Sequence, residues 1–349
     1  MANKKSMIII STATRLLNNI NIVKKMILSG SDVIRFNFSY DTVEQKIKNI
    51  QHSQEIIEEL NAHIKILVDL PGPKIRLGGF PGQDLHVREG ENIILKSAAF
   101  TDNPNDFLPI QTKEIGNLFF PEQTIIIDEG EIAIKIIEII DQDTVRCLIL
   151  NSGNIFSYKG LNFPQQNLDP LPIIQNIHQK IIDKLKEIRI NYIACPLVNN
   201  EEIAKNYKKI IDDTRWKYTK PKIVFKLETQ EAVENIKDII KYCDLLILER
   251  GNLGLNVNFE KVGTIQKKVI KICHEAKKAV IVSTQILEST INNFIPQRSD
   301  ILDLTNIVLD GAYGIMLCHE TGVSSRPAYA ISIAKKIIHE AEKYKKSIN

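Results

Sequence analysis

The sequence has little that would staple, anchor or strongly charge it. Cysteine occurs five times, at Cys147, Cys195, Cys243, Cys273 and Cys318, an odd number with no C-x-x-C spacing. That pattern speaks against a disulfide framework and a zinc site and fits a reducing compartment. Long apolar runs are missing, and none reaches the ~18 residues of a membrane span. The N-terminal run 7–10 is too short for the apolar core of a signal peptide, and no small-residue cleavage site follows it. An excess of one charge is also missing. The 45 basic and 42 acidic residues leave a net charge of +3, which provides no broad basic face for nucleic acid. The pairs Lys24-Lys25, Lys277-Lys278 and Lys345-Lys346 read as solvated helix faces. These absences leave a soluble, cytoplasmic enzyme with neither a nucleic-acid nor a membrane partner.

What is present is an alternation. The chain has 349 residues, 44% hydrophobic and 25% charged, enough for a large core and about two domains. Short apolar runs, each followed by an amphipathic stretch, read as strands at 7–11, 33–38, 65–69, 192–195, 223–227, 245–248, 279–283 and 314–317. The intervening helices are expected at 20–29 (closed by Gly30), 42–60, 171–188, 201–213, 231–242, 261–276, 299–309 and 328–344. Runs such as Ile66-Leu67-Val68 suit a parallel sheet covered by helices on its outer face. Eight such βα units imply a closed (β/α)8 TIM barrel. An open doubly wound sheet would carry a Gly-rich phosphate turn after its first strand, and none is present.

The rhythm breaks between Arg76 and Pro164. Strand-like runs at 124–127, 131–139 and 144–150, and a hairpin expected from 84–88 and 92–96 around Glu89-Gly90-Glu91, describe a small all-β domain. The expected organisation is a barrel from 1–75 and 165–349, with a β-barrel lid from 76–164 inserted after the third barrel strand.

In such a barrel, chemistry belongs at the C-terminal ends of the strands. Those positions hold Arg35, Asn37 and Ser39 after the second strand and Asp69, Lys74 and Arg76 after the third. Lys226 and Glu228 end the fifth, Arg250-Gly251-Asn252-Leu253-Gly254 follows the sixth, and Ser283-Thr284-Gln285 ends the seventh. Lys226 and Glu228, two apart, face the same side of their strand. The carboxylate suits a hard divalent metal and the ammonium a phosphoryl group, although a purely structural ion pair fits the spacing too. Arg35 and Arg76 can fork onto phosphates. The Gly251 loop can open an anion-binding helix or serve only as a turn. Thr284 can hold a carboxylate or simply cap the next helix.

These residues resemble the pyruvate kinase family. Ile34-Arg35-Phe36-Asn37-Phe38-Ser39 is similar to R-x-N-F-S, and Asp69-Leu70-Pro71-Gly72-Pro73-Lys74-Ile75-Arg76 to D-x-x-G-P-x-I-R. Lys159-Gly160-Leu161-Asn162-Phe163-Pro164 resembles K-G-x-N-x-P, and Phe225-Lys226-Leu227-Glu228 resembles S-K-I-E. Glu249-Arg250-Gly251-Asn252-Leu253-Gly254 corresponds to A-R-G-D-L-G, and Ser283-Thr284-Gln285-Ile286-Leu287-Glu288-Ser289 to A-T-Q-M-L-E-S. The resemblance runs from Met7 to about Ala334.

It implies a glycolytic transferase moving phosphate from phosphoenolpyruvate to ADP, giving pyruvate and ATP. Lys226, Arg35 and Thr284 would be catalytic, and Lys226, Gly251, Asn252 and Thr284 would hold the substrate. Arg35, Asn37, Arg76 and Lys159 would meet the nucleotide, and Glu228 and Asn252 a magnesium or manganese ion. Asn37, Ser39, Asp69, Leu70 and Lys74 would form the monovalent-cation pocket or its replacement. The Leu70/Lys74 pair resembles the potassium-independent subtype, whose ammonium stands in for the cation.

Several positions depart from the family. Asn252 replaces a metal-ligating aspartate, Asn199 an arginine, and Tyr40-Asp41 a His-Gly pair. The loop Ser11-Thr12-Ala13-Thr14 lacks Gly-Pro, and Cys318-His319-Glu320-Thr321 replaces S-G-E-T, which makes His319 a candidate proton donor. Against the family pattern, the C-terminal domain is expected to be lacking and sugar-phosphate activation with it, and a homo-oligomer through barrel helices is left open. Two alternatives accompany this reading: a phosphoenolpyruvate-using enzyme with another acceptor, and a catalytically silent scaffold.

Overall fold

The computed structural model describes residues 6–72, 75–82, 84–163 and 174–348. Three strands, β1 (Met7–Ser11), β2 (Val33–Asn37) and β3 (Lys65–Asp69), precede a segment of eight strands. These are β4 (Leu85–Val87), β5 (Asn92–Ser97), β6 (Leu108–Ile110), β7 (Thr124–Ile127), β8 (Ile132–Asp141), β9 (Thr144–Ile149), β10 (Gly153–Ile155) and β11 (Leu161–Asn162). Five more follow: β12 (Tyr192–Cys195), β13 (Lys222–Leu227), β14 (Leu245–Glu249), β15 (Ala279–Ser283) and β16 (Gly314–Leu317). Strands β1 to β3 and β12 to β16 form one closed parallel barrel in the order β1-β16-β15-β14-β13-β12-β3-β2. This is the expected (β/α)8 architecture.

Two compact units result. One comprises Met1–Gly72, Pro170–Leu253 and Glu260–Asn349, the other Pro73–Asp169 and Gly254–Phe259. In the first unit, strand alternation sends every second side chain inward. Met7, Ile9, Val33, Leu67, Val224, Leu245, Ile247, Ile281 and Met316 meet there in one apolar cluster. The next inward position on several of these strands is polar: Ser11, Arg35, Asp69, Lys226, Glu249 and Ser283, all buried. The barrel is thus packed with aliphatics below and charges at its C-terminal mouth.

The opposite rim is stapled by short polar side chains that stand just before strands. Asp32 accepts the Ile8 amide at 2.8 Å, Asn191 that of Ile66 at 2.8 Å and Asp244 that of Ile223 at 2.8 Å. Each bond satisfies a buried backbone donor and pins one strand against its neighbour.

Most helices match their expected positions because their caps are written locally. Asn19, Thr42, Asn200 and Thr229 each accept an amide of the following first turn, and Gly30 follows its helix with φ +108°. The stretch expected as one helix over 231–242 is instead Gln230–Glu234, Ile236–Ile239 and a 3-10 turn Ile240–Tyr242. The break comes at Asn235, whose side chain donates to the Asn199 carbonyl at 3.0 Å and whose backbone leaves the helical region. Of the helix expected over 171–188, residues 171–173 lie outside the described residues. The remainder opens as a π turn, Ile174–His178, before Gln179–Leu185.

In the second unit, a six-stranded sheet of order β11-β7-β8-β9-β5-β6 and a two-stranded β10-β4 sheet share one core of residues such as Leu95, Ile125, Ile134 and Val145. The expected hairpin of β4 with β5 is not formed. β4 pairs with β10 and β5 with β9. Glu89-Gly90-Glu91 is a corner between sheets, tied to β9 by Gly90 and Glu91 through Ile149. Val87 and Ile93 then bury into the same core from different sheets.

Closure of the barrel depends on Gly314, which pairs with Met7. A Cβ there would lie 2.2 Å from the Met7 carbonyl oxygen, a backbone atom that cannot swing away. Gly314→Ala is therefore expected to destabilise the fold by ~1–3 kcal/mol, read as a fall in urea midpoint with little change in slope.

Candidate functional site

The barrel mouth is organised around Asp69, 1% exposed. Arg35 sends Nε (2.8 Å) and Nη2 (2.5 Å) to Asp69 Oδ2, and Nη1 to Ser11 Oγ at 2.6 Å. Lys226 Nζ lies 3.2 Å from Asp69 Oδ1 and 3.1 Å from Glu228 Oε1. Burial favours the neutral form of each group, but the mutual attraction outweighs it. The Asp69 carboxyl is held below the usual carboxylate range against that burial, by Lys226 and then Arg35. Lys226 is raised despite burial, by Asp69 and Glu228 foremost, and Arg35 is raised mainly by Asp69. Both cations stay charged at any physiological pH.

Glu228, 2% exposed, also accepts the Leu197 amide through Oε2 at 2.8 Å and the Asn252 side-chain amide through Oε1 at 2.9 Å. An aspartate at 252 would repel Glu228, whereas the amide donates to it. Asn252 and Gly251 lie in the helix Arg250–Asn256, which starts where β14 ends. Arg250 reaches across to Thr284 and Gln285. Its Nε and Nη2 donate to the Thr284 carbonyl at 3.1 and 2.7 Å, and Nη2 to the Gln285 carbonyl at 2.9 Å. That clamp matters because Thr284 and Gln285 sit at φ +73° and +53°, costly for a β-branched residue above all. Glu320 holds the next turn, accepting the Ile286 and Leu287 amides at 3.0 and 3.1 Å.

Of the anticipated monovalent-cation group, Asn37 and Asp69 are direct register partners on β2 and β3. Asn37 Oδ1 accepts the Ser39 amide at 3.0 Å, and Leu70 is buried with its amide on the Ala194 carbonyl. Lys74 and Pro164 lie outside the described residues. Arg76 and Lys159 belong to the second unit, where they are brought together. Arg76 bridges Gly160 and donates to the Tyr158 carbonyl at 3.3 Å, while Lys159 pairs with Asp128 at 2.6 Å. His319 is half exposed, with Nδ1 2.8 Å from Glu288. Asp41 adopts φ +63° and binds Lys46 at 2.8 Å and Thr14 at 2.6 Å. Asn199 is buried and accepts from the Thr229 hydroxyl at 2.8 Å.

Sequence reasoning passed over Glu249, Glu320 and a pair beneath the mouth, His178 and Tyr207. The signal for Glu249 was present, since alternation from Leu245 and Ile247 turns it inward. His178 carried no such signal. Its Nε2 is 2.6 Å from the Pro71 carbonyl, which can only accept, so that nitrogen carries the proton. Nδ1 then accepts from the Tyr207 hydroxyl at 3.0 Å. The bridge ties the loop after β3 to the neighbourhood of β12.

Among the described residues, no three His, Cys, Asp or Glu side chains converge on a metal position. At the mouth Glu228 presents carboxylate oxygens, a donor type that suits a hard divalent ion, and Asn252 lies beside it with its amide nitrogen turned to Oε1. No helix of the described residues is long and apolar enough to cross a membrane.

Comparison with known proteins places this geometry in context. The family model for the pyruvate kinase barrel domain matches residues 3–331. A pyruvate kinase of Thermococcus litoralis is 31% identical over 326 residues, 93% of this chain and 67% of that protein. One from Thermotoga maritima is 30% identical over 342 residues, 96% of this chain and 71% of that protein. The crystal structure of Cryptosporidium parvum pyruvate kinase superposes with a TM-score of 0.87 at 27% identity, covering 97% of this chain and 71% of that one.

Burial pushes the His178 imidazole down to about 4 from its ordinary value of 6.5. A depressed histidine contributes stability that is present above pH 6.5 and lost as pH falls toward about 4. Thermal melts from pH 7 to 4 should fall accordingly. His178→Gln should flatten that dependence, and an unchanged slope would remove His178 as its cause.

Proposed function

Because the chain belongs to the pyruvate kinase family, we propose that it transfers phosphate from phosphoenolpyruvate to ADP, releasing pyruvate and ATP. The observation that carries the reading is the buried Arg35–Asp69–Lys226–Glu228 cluster at the barrel mouth. Phosphoryl transfer asks for positioning and charge neutralisation more than for covalent chemistry. Lys226, kept protonated by its acidic neighbours, is a fixed positive charge for the phosphoryl group in transit. Arg35 adds a second cation, held in one orientation by Asp69 and Ser11. The amides at Gly251 and Asn252 take the substrate's acid end, which comes to lie beside Thr284. Arg76 and Lys159, both on the inserted β domain, serve the nucleotide.

Glu228 and Asn252 would hold magnesium or manganese, which when bound supplies charge neutralisation of the phosphates. Asn252 must first turn its amide oxygen outward, giving up its bond to Glu228, so metal binding is weakened at this position. Leu70 and Lys74 support potassium independence, and His319 is the proposed proton donor to enolpyruvate. The proposed location is cytoplasmic.

A second reading, the same donor with another phosphoryl acceptor, is favoured by Asn199. It stands neutral, buried and tied to Thr229 where the family motif has an arginine.

The first assay is pyruvate release from phosphoenolpyruvate and ADP with either metal, with and without potassium. Turnover is expected without potassium and should fall about 10²–10³-fold in Lys226→Met. No turnover with either metal rejects the reading in favour of another acceptor. Asn252→Asp should tighten manganese binding about tenfold, measured by calorimetry. Unchanged affinity would mean that the amide already serves as a full ligand.

A further inference from the structure

Glu249 is a buried carboxylate to which the proposed reaction gives no task. It stands where the corresponding family motif begins with alanine, and it points into the barrel with Leu245 and Ile247. It is 8% exposed. Its Oε1 accepts hydrogen bonds from Ser283 Oγ at 3.1 Å and Thr284 Oγ1 at 2.5 Å. Its charge is also felt by Arg35 and Lys226.

The consequence falls on Thr284. A hydroxyl has one proton to donate, and here that proton is committed to Glu249. The backbone of Thr284, at φ +73°, is clamped through its carbonyl by Arg250, which fixes where the side chain is attached beside Glu249. A ligand group arriving at Thr284 therefore meets lone pairs, with a fixed negative charge directly behind them. A carboxylate is repelled twice, by the missing donor and by the charge. A hydroxyl or amide group is accommodated, since it can donate.

Resting on the placement of the substrate's acid end beside Thr284, we propose that Glu249 is a specificity-determining residue. It weakens binding of phospho-acids at this subsite and favours phosphate esters whose matching group is a hydrogen-bond donor.

Two ligands of one skeleton separate these effects: phosphoglycolate, which ends in a carboxylate, and hydroxyethyl phosphate, which ends in a hydroxyl. Their affinities are measured by calorimetry in magnesium buffer for the parent chain, Glu249→Gln and Glu249→Ala. Glutamine keeps the size and an accepting oxygen but loses the charge, so it also guards against loss of folding in the alanine variant. Glu249→Gln should bind phosphoglycolate about tenfold more tightly, a change of about 1.4 kcal/mol, with hydroxyethyl phosphate shifting less than about threefold. Glu249→Ala, which also frees the Thr284 hydroxyl, should gain further on phosphoglycolate alone.

Parallel shifts for both ligands, an unchanged preference, or weaker phosphoglycolate binding would overturn the proposal, as would binding of neither ligand to any of the chains. Pyruvate release by the parent tests the phosphoenolpyruvate reading separately. A chain that discriminates through Glu249 yet forms no pyruvate keeps this inference and loses that reading.

Discussion

Two cations, Arg35 and Lys226, close on the single buried carboxylate of Asp69 from different strands. Bringing three charges together out of water is costly, and only their mutual attraction offsets the cost. The cluster is consequently fixed in composition and position. Removing any one member would leave the others buried with part of their compensation gone, which disfavours drift of the mouth toward an apolar plug. That constraint keeps Lys226 charged, orients Arg35 against Ser11, and sets Glu228 where Asn252 can reach it.

The barrel below is the reason this cluster can exist. Aliphatic layers from Met7, Val33, Leu67, Val224, Leu245 and Ile281 fill the interior and exclude water from beneath the charges. The stapled strand starts at Asp32, Asn191 and Asp244 hold the register that puts the next inward residue at the mouth. A slip of one residue in any strand would exchange a charge for an aliphatic side chain. Strain appears beside the same cluster. Thr284 and Gln285, both at positive φ, are kept there by Arg250 from one side, with Glu320 fixing the turn that follows.

Much of this was legible in the chain. The run–helix alternation announced the closed barrel, and Lys226 and Glu228 announced a shared face simply by being two apart. What stayed hidden involved partners distant in sequence. Glu89-Gly90-Glu91 has the composition of a hairpin turn, yet it carries the chain from one sheet to the other, because β9 and β10 arrive from some sixty residues away to take the two strands separately. Glu249 was visible as an inward residue, but its effect on Thr284 needed the register of β14 with β15. His178 looked like an unremarkable helix residue until the loop after β3 and Tyr207 closed on it.

The sequence by itself determined which residues could alternate, cap and break, because those preferences act between neighbours a few positions apart. It therefore settled the barrel strands, most helix starts and the strand-end positions where charged side chains gather. Only the tertiary structure decided which of those positions share a charge and which hydroxyl is already spoken for. Electrostatic and hydrogen-bond partnerships depend on distances across the barrel, and those distances come from closing the sheet.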